Sequence, residues 1–209
     1  MIALLEKQLS NFFFLDDIEK HFIEDSYKEV YAQTILCLSK NGNKYYQDIA
    51  TRGLNPLHTN SWAVFLYKFS RYCFLAGKDE LAGKMYYLNK ILNSVELFYA
   101  VELPQVFSFD HPLGSVMGRA KYGEYFTFSQ GCTVGNNKNV YPVIGDFVSM
   151  MSNSKILGNS VIGNNVIIAA NTYIIDTNVP DNMIVFGQGK NLVFKENKID
   201  NRKNWILQE

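Results

Sequence analysis

Three of the 209 residues are histidines, and one of them stands where an imidazole could act as a base. His21 falls in a stretch with helical apolar spacing and His58 beside a proline-containing turn, so both read as packing or surface residues. His111 lies in Asp110-His111-Pro112-Leu113-Gly114-Ser115, directly after an acid and at a break in a repeat. A neutral imidazole there could accept the proton of an attacking alcohol, a contribution of roughly 10²–10⁴ in rate. Taken alone, the pairing fits a surface histidine as readily as a catalytic one. Cys37, Cys73 and Cys132 are too scattered for a disulfide framework or a zinc site, which implies a reduced, intracellular setting and no metal.

The elements that would position His111 fall into two kinds. Up to about residue 95, apolar residues recur at helical spacing, in 13–22, 26–40, 44–52, 61–69 and 81–92. The breaks are Asn41-Gly42-Asn43 and the stretch from Gly53 to Pro56. Asn60 or Ser61 is the expected N-cap of the fourth helix, Gly77 its C′ residue, and a further helix starts near Asp79. An α-helical domain is therefore expected over 1–95.

From residue 97 the period becomes six. Leu97, Leu103 and Phe109 lie on it; after one extra residue come Val116, Tyr122, Phe128 and Val134. After four more extra residues follow Ile144, Met150, Ile156, Ile162, Ile168 and Ile174. The residue four places after each is mostly small or apolar, as at Phe107, Phe126, Cys132, Val148, Val166 and Thr172, so Cys132 reads as core. Thirteen positions in hexads are the signature of a parallel β-helix, three hexads to a coil, and so a little over four coils. The fold class is α+β: an N-terminal helical domain, a β-helix over 96–189, and a C-terminal tail over 190–209. Each interruption must leave the prism as a loop. One contains His111 and the other is Gly135-Asn136-Asn137-Lys138-Asn139-Val140-Tyr141.

Composition narrows the partners. Twenty basic and twenty acidic residues cancel, and no basic run offers phosphates a surface, so nucleic acid is not expected. No apolar run approaches the ~18 residues of a membrane span. The first residues lack the basic n-region and cleavage site of a signal peptide, and a cytoplasmic location is expected.

The segments Asp110-His111-Pro112-Leu113-Gly114, Ser129-Gln130-Gly131-Cys132-Thr133-Val134-Gly135 and Lys155-Ile156-Leu157-Gly158-Asn159 resemble the serine acetyltransferase family of hexapeptide acyltransferases. The likeness covers about residues 48–190. It implies a left-handed β-helix, acetyl-CoA as acyl donor and no metal. It implies His111 as general base, oriented by Glu96 where the family has Asp, with Glu102 as the fallback. A backbone N–H of Gly135 or Asn136 would hold the oxyanion. Acetyl-CoA would lie along Gly135, Asn136, Met151, Ser152, Ala169 and Ala170, with Lys190 at a phosphate, and the chain would form a homotrimer or a pair of trimers.

The acceptor side departs from the family. Where its members hold the serine carboxylate with Arg-His-Pro, this chain has Val140-Tyr141-Pro142, which lacks the bidentate guanidinium. Asp110 and Asp48 match the family's amino-binding acids, and the helical domain is shorter than usual. The end, Trp205-Ile206-Leu207-Gln208-Glu209, has no cysteine-synthase-binding signature. The expected acceptor is a sugar hydroxyl of a bacterial surface polysaccharide or its precursor, with Tyr141 as a stacking face. The alternatives are serine O-acetylation for cysteine synthesis and a silent trimeric scaffold.

Overall fold

The computed structural model describes residues 1–46 and 48–207; Gln47, inside the stretch 44–52, and Gln208 and Glu209 at the chain end lie outside them. Five helices come first: α1 (Ile2–Ser10), α2 (Asp17–Ser39), α3 (Ile49–Arg52), α4 (Thr59–Leu75) and α5 (Asp79–Asn93). The two helices expected over 13–22 and 26–40 are one. A capping box starts it at Asp16, whose carboxylate accepts from the Glu19 N–H while Glu19 accepts from the Asp16 N–H. Its buried stripe then runs unbroken through Ile23, Ser26, Val30, Thr34 and Cys37. Helix α1, absent from the sequence reading, buries Leu5 and Leu9. The N-cap of α4 is neither Asn60 nor Ser61 but His58, whose Nδ1 accepts from the Ser61 N–H at 3.3 Å and meets its hydroxyl at 2.6 Å. Helix α4 is the centre of the bundle, buried on almost every side from Ser61 to Ser70.

Fifteen short strands follow: β1 (Glu96–Leu97), β2 (Phe107–Phe109), β3 (Val116–Met117), β4 (Lys121–Tyr122), β5 (Phe126–Phe128), β6 (Thr133–Gly135), β7 (Val143–Ile144), β8 (Ser149–Met150), β9 (Lys155–Leu157), β10 (Val161–Ile162), β11 (Ile167–Ile168), β12 (Tyr173–Ile175), β13 (Asn178–Val179), β14 (Met183–Phe186) and β15 (Val193–Glu196). They form a parallel β-solenoid of about five turns, one more than the hexad count implied. Its three faces are β1-β3-β6-β9-β12, β4-β7-β10-β13 and β2-β5-β8-β11-β14-β15. The extra turn comes from Val179 and Val185, which continue the interior columns beyond Ile174 after a hexad one residue short.

The interior is three ladders of apolar side chains in register. One runs Leu97, Met117, Val134, Ile156, Ile174, another Tyr122, Ile144, Ile162, Val179, and the third Phe109, Phe128, Met150, Ile168, Val185. Met117 occupies the place expected for Val116, which pairs with Glu96 on the outer side of the strand. The loop carrying His111 is therefore one residue longer than the hexads suggested. At the first coil α2 packs on the prism, with the Cys37 thiol donating to the Phe107 carbonyl at 3.3 Å. At the last, β15 turns back antiparallel on β14, exposing Val193, Phe194, Lys195 and Glu196.

Candidate active site

The chain leaves β2 at Phe109 and reaches β3 through a loop pinned at four points. The Asp110 N–H donates to the Phe128 carbonyl, the Gly131 N–H to Leu113, the Gly114 N–H to Ser94, and the Leu113 N–H to His111. This places His111 in the left-handed region, at φ 50°, with an exposed ring. A residue other than glycine seldom sits there, and such conformations persist where the surroundings over-determine them. The ring borders a hollow of about 170 Å³ formed with Thr59, Asn60 and Ala63 of α4 and Leu92 and Asn93 of α5.

No carboxylate of the described residues lies within ion-pair distance of that ring. Glu96, expected to orient it, sits on the outer side of β1 and takes the Lys90 ammonium at 2.6 Å. Glu102, the fallback, lies 3.5 Å from the Arg71 guanidinium. The backbone, and not an acid, holds His111 here.

Along the solenoid axis, the corner that carries His111 also carries four of the seven residues expected to meet acetyl-CoA. Met151 and Ser152 follow β8, and Ala169 and Ala170 follow β11. Among the described residues, the Ser152 and Ala170 N–H groups donate to no backbone carbonyl, while those of Met151, Asn153, Ala169 and Asn171 are spent on neighbouring coils. Two free amides one coil apart, on Ser152 and Ala170, whose own side chains are a hydroxymethyl and a methyl, suit a linear ligand carrying amides of its own. Lys190 stands at the last coil in the 3-10 turn Gly189–Asn191, beside Gln188, which bridges to Tyr173. Four strand spacings separate the His111 level from that level, about 19 Å.

Gly135, Asn136 and Tyr141 belong to the next corner, at the opposite edge of the β1-β3-β6-β9-β12 face. The insertion there is a hairpin. Asn137 and Val140 exchange both backbone hydrogen bonds, and Lys138 and Asn139 have φ of 52° and 63°. Two left-handed central residues define the type I′ turn that fits strand twist. The Asn137 amide donates to Asp176 at 2.7 Å, reaching past Gly158 of the adjacent coil and fixing the hairpin to the second coil above. Val140 and Tyr141 are exposed at its base. Within one chain, the hairpin and His111 are a full face apart.

On the other side of His111, Asp110 opens onto a groove of about 380 Å³ over the β2-β5-β8 face. Ser108, Thr127 and Ser149, stacked in register, form its floor. Ser129 and Met151 border it towards His111, and Asn41, Asn43, Lys203 and Trp205 border it opposite. The far wall is a strap. From Asn197 the chain runs back down the prism, the Asn201 side chain donating to Phe147 and its N–H to the Asn165 side chain. It then joins the helical part, where the Gly42 N–H donates to Asn204 at 2.9 Å and the Ile206 N–H to Lys40 at 2.8 Å. Trp205 packs edge-on to Tyr125, which stacks on Phe147 at 4.6 Å and 3°. Tyr125 and Phe147 are both left-handed, at φ 61° and 57°.

Behind Asp110, Asn60 donates to the Phe109 carbonyl and to the Tyr46 hydroxyl. Burial, above all, pushes the Tyr46 phenol up to about 12, so it stays protonated. Asp48 does not join Asp110. It is exposed, 3.4 Å from Arg52, and borders a separate hollow with Tyr45, Leu54 and His58. The sequence reading missed Asn41, Asn43 and Trp205. Asn41 and Asn43 were legible only as a helix break, and Trp205 only as part of a tail.

The sequence matches the family model "Bacterial transferase hexapeptide (six repeats)" over residues 141–176. A serine acetyltransferase of Staphylococcus epidermidis is 30% identical over 152 residues, covering 70% of this chain and 67% of the relative. The chain belongs to the serine acetyltransferase family of hexapeptide acyltransferases. A Synechococcus elongatus serine acetyltransferase is 30% identical over 114 residues, 52% of this chain and 46% of its own. Among solved structures, a serine acetyltransferase in complex with cysteine superimposes with a TM-score of 0.72 at 19% identity, covering 97% of this chain and 82% of that one. That of Neisseria gonorrhoeae gives 0.70 at 20%, covering 92% and 77%. Both share the fold, helices before solenoid. This member of the family is an acetyl-CoA-dependent acyltransferase, which sets the scaffold reading aside. Among its described residues no helix is long and apolar enough to cross a membrane.

Proposed function

We propose that this acyltransferase carries the acetyl group of acetyl-CoA to a sugar hydroxyl, that of a bacterial surface polysaccharide or its precursor. The groove beside Asp110 carries this reading. Hydroxyls, amides, one carboxylate and the Trp205 wall make a lining that can hydrogen-bond a ring of alcohols and face its apolar side. The donor lies along the His111 corner, its amides meeting the Ser152 and Ala170 N–H groups and its nucleotide phosphates near Lys190.

His111 then accepts the acceptor's hydroxyl proton as that oxygen bonds to the thioester carbonyl carbon. When the tetrahedral adduct collapses, the carbon–sulfur bond breaks and the imidazolium returns the proton to the departing thiolate. The oxyanion donors, Gly135 or Asn136, sit at the next corner, so they meet His111 when a second copy lays its hairpin against this edge. A homotrimer of parallel prisms supplies that arrangement, with Tyr141 of one copy facing the acceptor of another. Glu96 takes up its orienting role by leaving Lys90 once the edge is covered.

Serine is the second reading, favoured by the names of the relatives. Against it stand Val140 and Tyr141 where the family has its arginine and histidine, in a hairpin whose one cation, Lys138, is at the tip. Free CoA release from acetyl-CoA with L-serine, then with a panel of sugars and capsular oligosaccharides, decides between them. Turnover with glycan alone is expected; rapid turnover with serine alone would overturn the sugar reading.

A further inference from the structure

A further cavity, of about 580 Å³, lies away from the acyltransfer corner, between α2, α4 and the segment Glu102 to Gln105. Lys68 is in its wall. The residue is 8% exposed, and its ammonium has one acceptor, the Gln105 carbonyl at 3.1 Å, with the Phe107 ring 5.6 Å away. No carboxylate of the described residues lies within 4 Å of it. The chain treats another enclosed lysine differently: Lys84 holds Glu19 at 2.7 Å and Glu80 at 3.0 Å. An enclosed ammonium with two unused N–H groups and no counter-charge is costly to fold.

A second cation shares the wall. Arg71 is one turn further along α4, its side chain 19% exposed, with Glu102 at 3.5 Å, the Tyr99 carbonyl at 3.3 Å and the Phe74 ring 5.9 Å from the guanidinium. Glu102 is 83% exposed at the rim. The other rim acid, Glu29, accepts from Gln33 at 2.8 Å and not from either cation. Leu36 and Leu75, 39% and 69% exposed, provide an apolar border.

We propose that this cavity binds a small organic anion whose phosphate or carboxylate group is held by Lys68 and Arg71 and whose apolar part rests on Leu36 and Leu75. Lys68 supplies the enclosed charge and Arg71 the second, adjustable contact. Both N–H sets point to oxygen acceptors, and charge-assisted bonds of this kind are the strong ones. The site is separate from the acetyl-CoA edge and from the groove beside Asp110, and the proposal stands whichever acceptor the enzyme uses.

The test is a thermal titration of the full-length protein with inorganic phosphate, and separately with acetate, against potassium chloride at matched ionic strength. The wild type is expected to gain Tm saturably with at least one of the two anions; phosphate alone would mark a phosphoryl ligand, and acetate a carboxylate. In Lys68→Met the half-saturating anion concentration rises at least tenfold, and the variant without anion is no less stable than the wild type. Arg71→Gln, at a more open position, shows a smaller loss of the same response. If Lys68 were only a donor to Gln105, Lys68→Met would lose stability and keep the anion response. Either that result or a wild type that answers chloride as it answers both anions would overturn the assignment.

Discussion

Replacing Trp205 by alanine separates the strap from the solenoid. The indole is 8% exposed and meets Tyr125 edge-on at a ring distance of 5.3 Å. A buried aromatic cut to alanine costs about 3–5 kcal/mol when the site cannot relax. The site here can relax, because the strap lies on the surface and can lift away. Between the Asn201 anchors to Phe147 and Asn165 and the end of the strap, what remains to hold it at the groove is the pair of backbone bonds from Gly42 to Asn204 and from Ile206 to Lys40, worth about 1 kcal/mol each. The loss therefore exceeds what the local contacts retain, and the strap opens while the coils stay intact. Global unfolding should move little, by less than about 4 °C in Tm, since each kcal/mol is roughly 2–4 °C at this size. Amide exchange at Gly42 and Ile206 should quicken at least tenfold, and acceptor KM should rise at least fivefold with acetyl-CoA KM unchanged. Unchanged exchange at Gly42 would refute the strap argument, and an equal rise in both KM values would refute the groove as the acceptor's.

Four further outcomes follow from the same geometry. His111→Ala lowers kcat by roughly 10²–10⁴ while assembly and acetyl-CoA affinity persist; near-normal turnover would remove the base assignment. Ala170→Asp sets a carboxylate on the cofactor edge and raises acetyl-CoA KM about tenfold or more, read by steady-state kinetics beside an unchanged melting curve. Gly145→Ala brings a Cβ to 2.7 Å from the Asn164 side chain and 2.8 Å from the Gly163 backbone, so adjacent coils must part, at about 1–3 kcal/mol in denaturant unfolding. Burial holds the His58 imidazole below its ordinary value, and its cap needs an unprotonated Nδ1. Its contribution is complete above the unfolded value of about 6.5 and fades as pH falls through the lowered folded value. His58→Asn, which caps without titrating, should lose less stability than the wild type as pH falls below about 6.5, read by denaturant unfolding across pH.

Much of the fold was legible because the prism repeats one demand. Each inward position needs an apolar side chain, and the hexads show it from Tyr122 to Ile174 apart from the hairpin. The period is ambiguous where two adjacent residues are both apolar. Val116 and Met117 satisfy the pattern equally, and pairing with Glu96 and Leu97 decides between them. The hexad pattern breaks before Val179, where one hexad is a residue short. His111 stands out in the sequence as the histidine at a break in the repeat, whereas its role and the corner positions Ser152, Ala169 and Ala170 are implied only by the family resemblance. The groove could not be found in the sequence, since Asn41, Thr127 and Trp205 meet only through tertiary contact. The helical spacing read as two separate stretches, 13–22 and 26–40, is one helix, because the capping box at Asp16 starts it and the buried stripe of Ile23, Ser26 and Val30 carries it across 23–25.

The antiparallel strand at the last coil bears on how copies of this protein can meet. A stack of parallel coils presents the same unpaired backbone lattice at each end, and such ends add further strands as a growing fibre does. Here α2 and the Cys37 bond lie against the first coil at β2, and β15 closes the β14 edge of the last coil with a reversed strand carrying Lys195 and Glu196. A reversed, charged terminal strand is a poor template for another first coil. End-to-end growth is thereby discouraged, and the long sides of the prism are left as the surfaces for association. These sides include the corners that bear His111 and the hairpin.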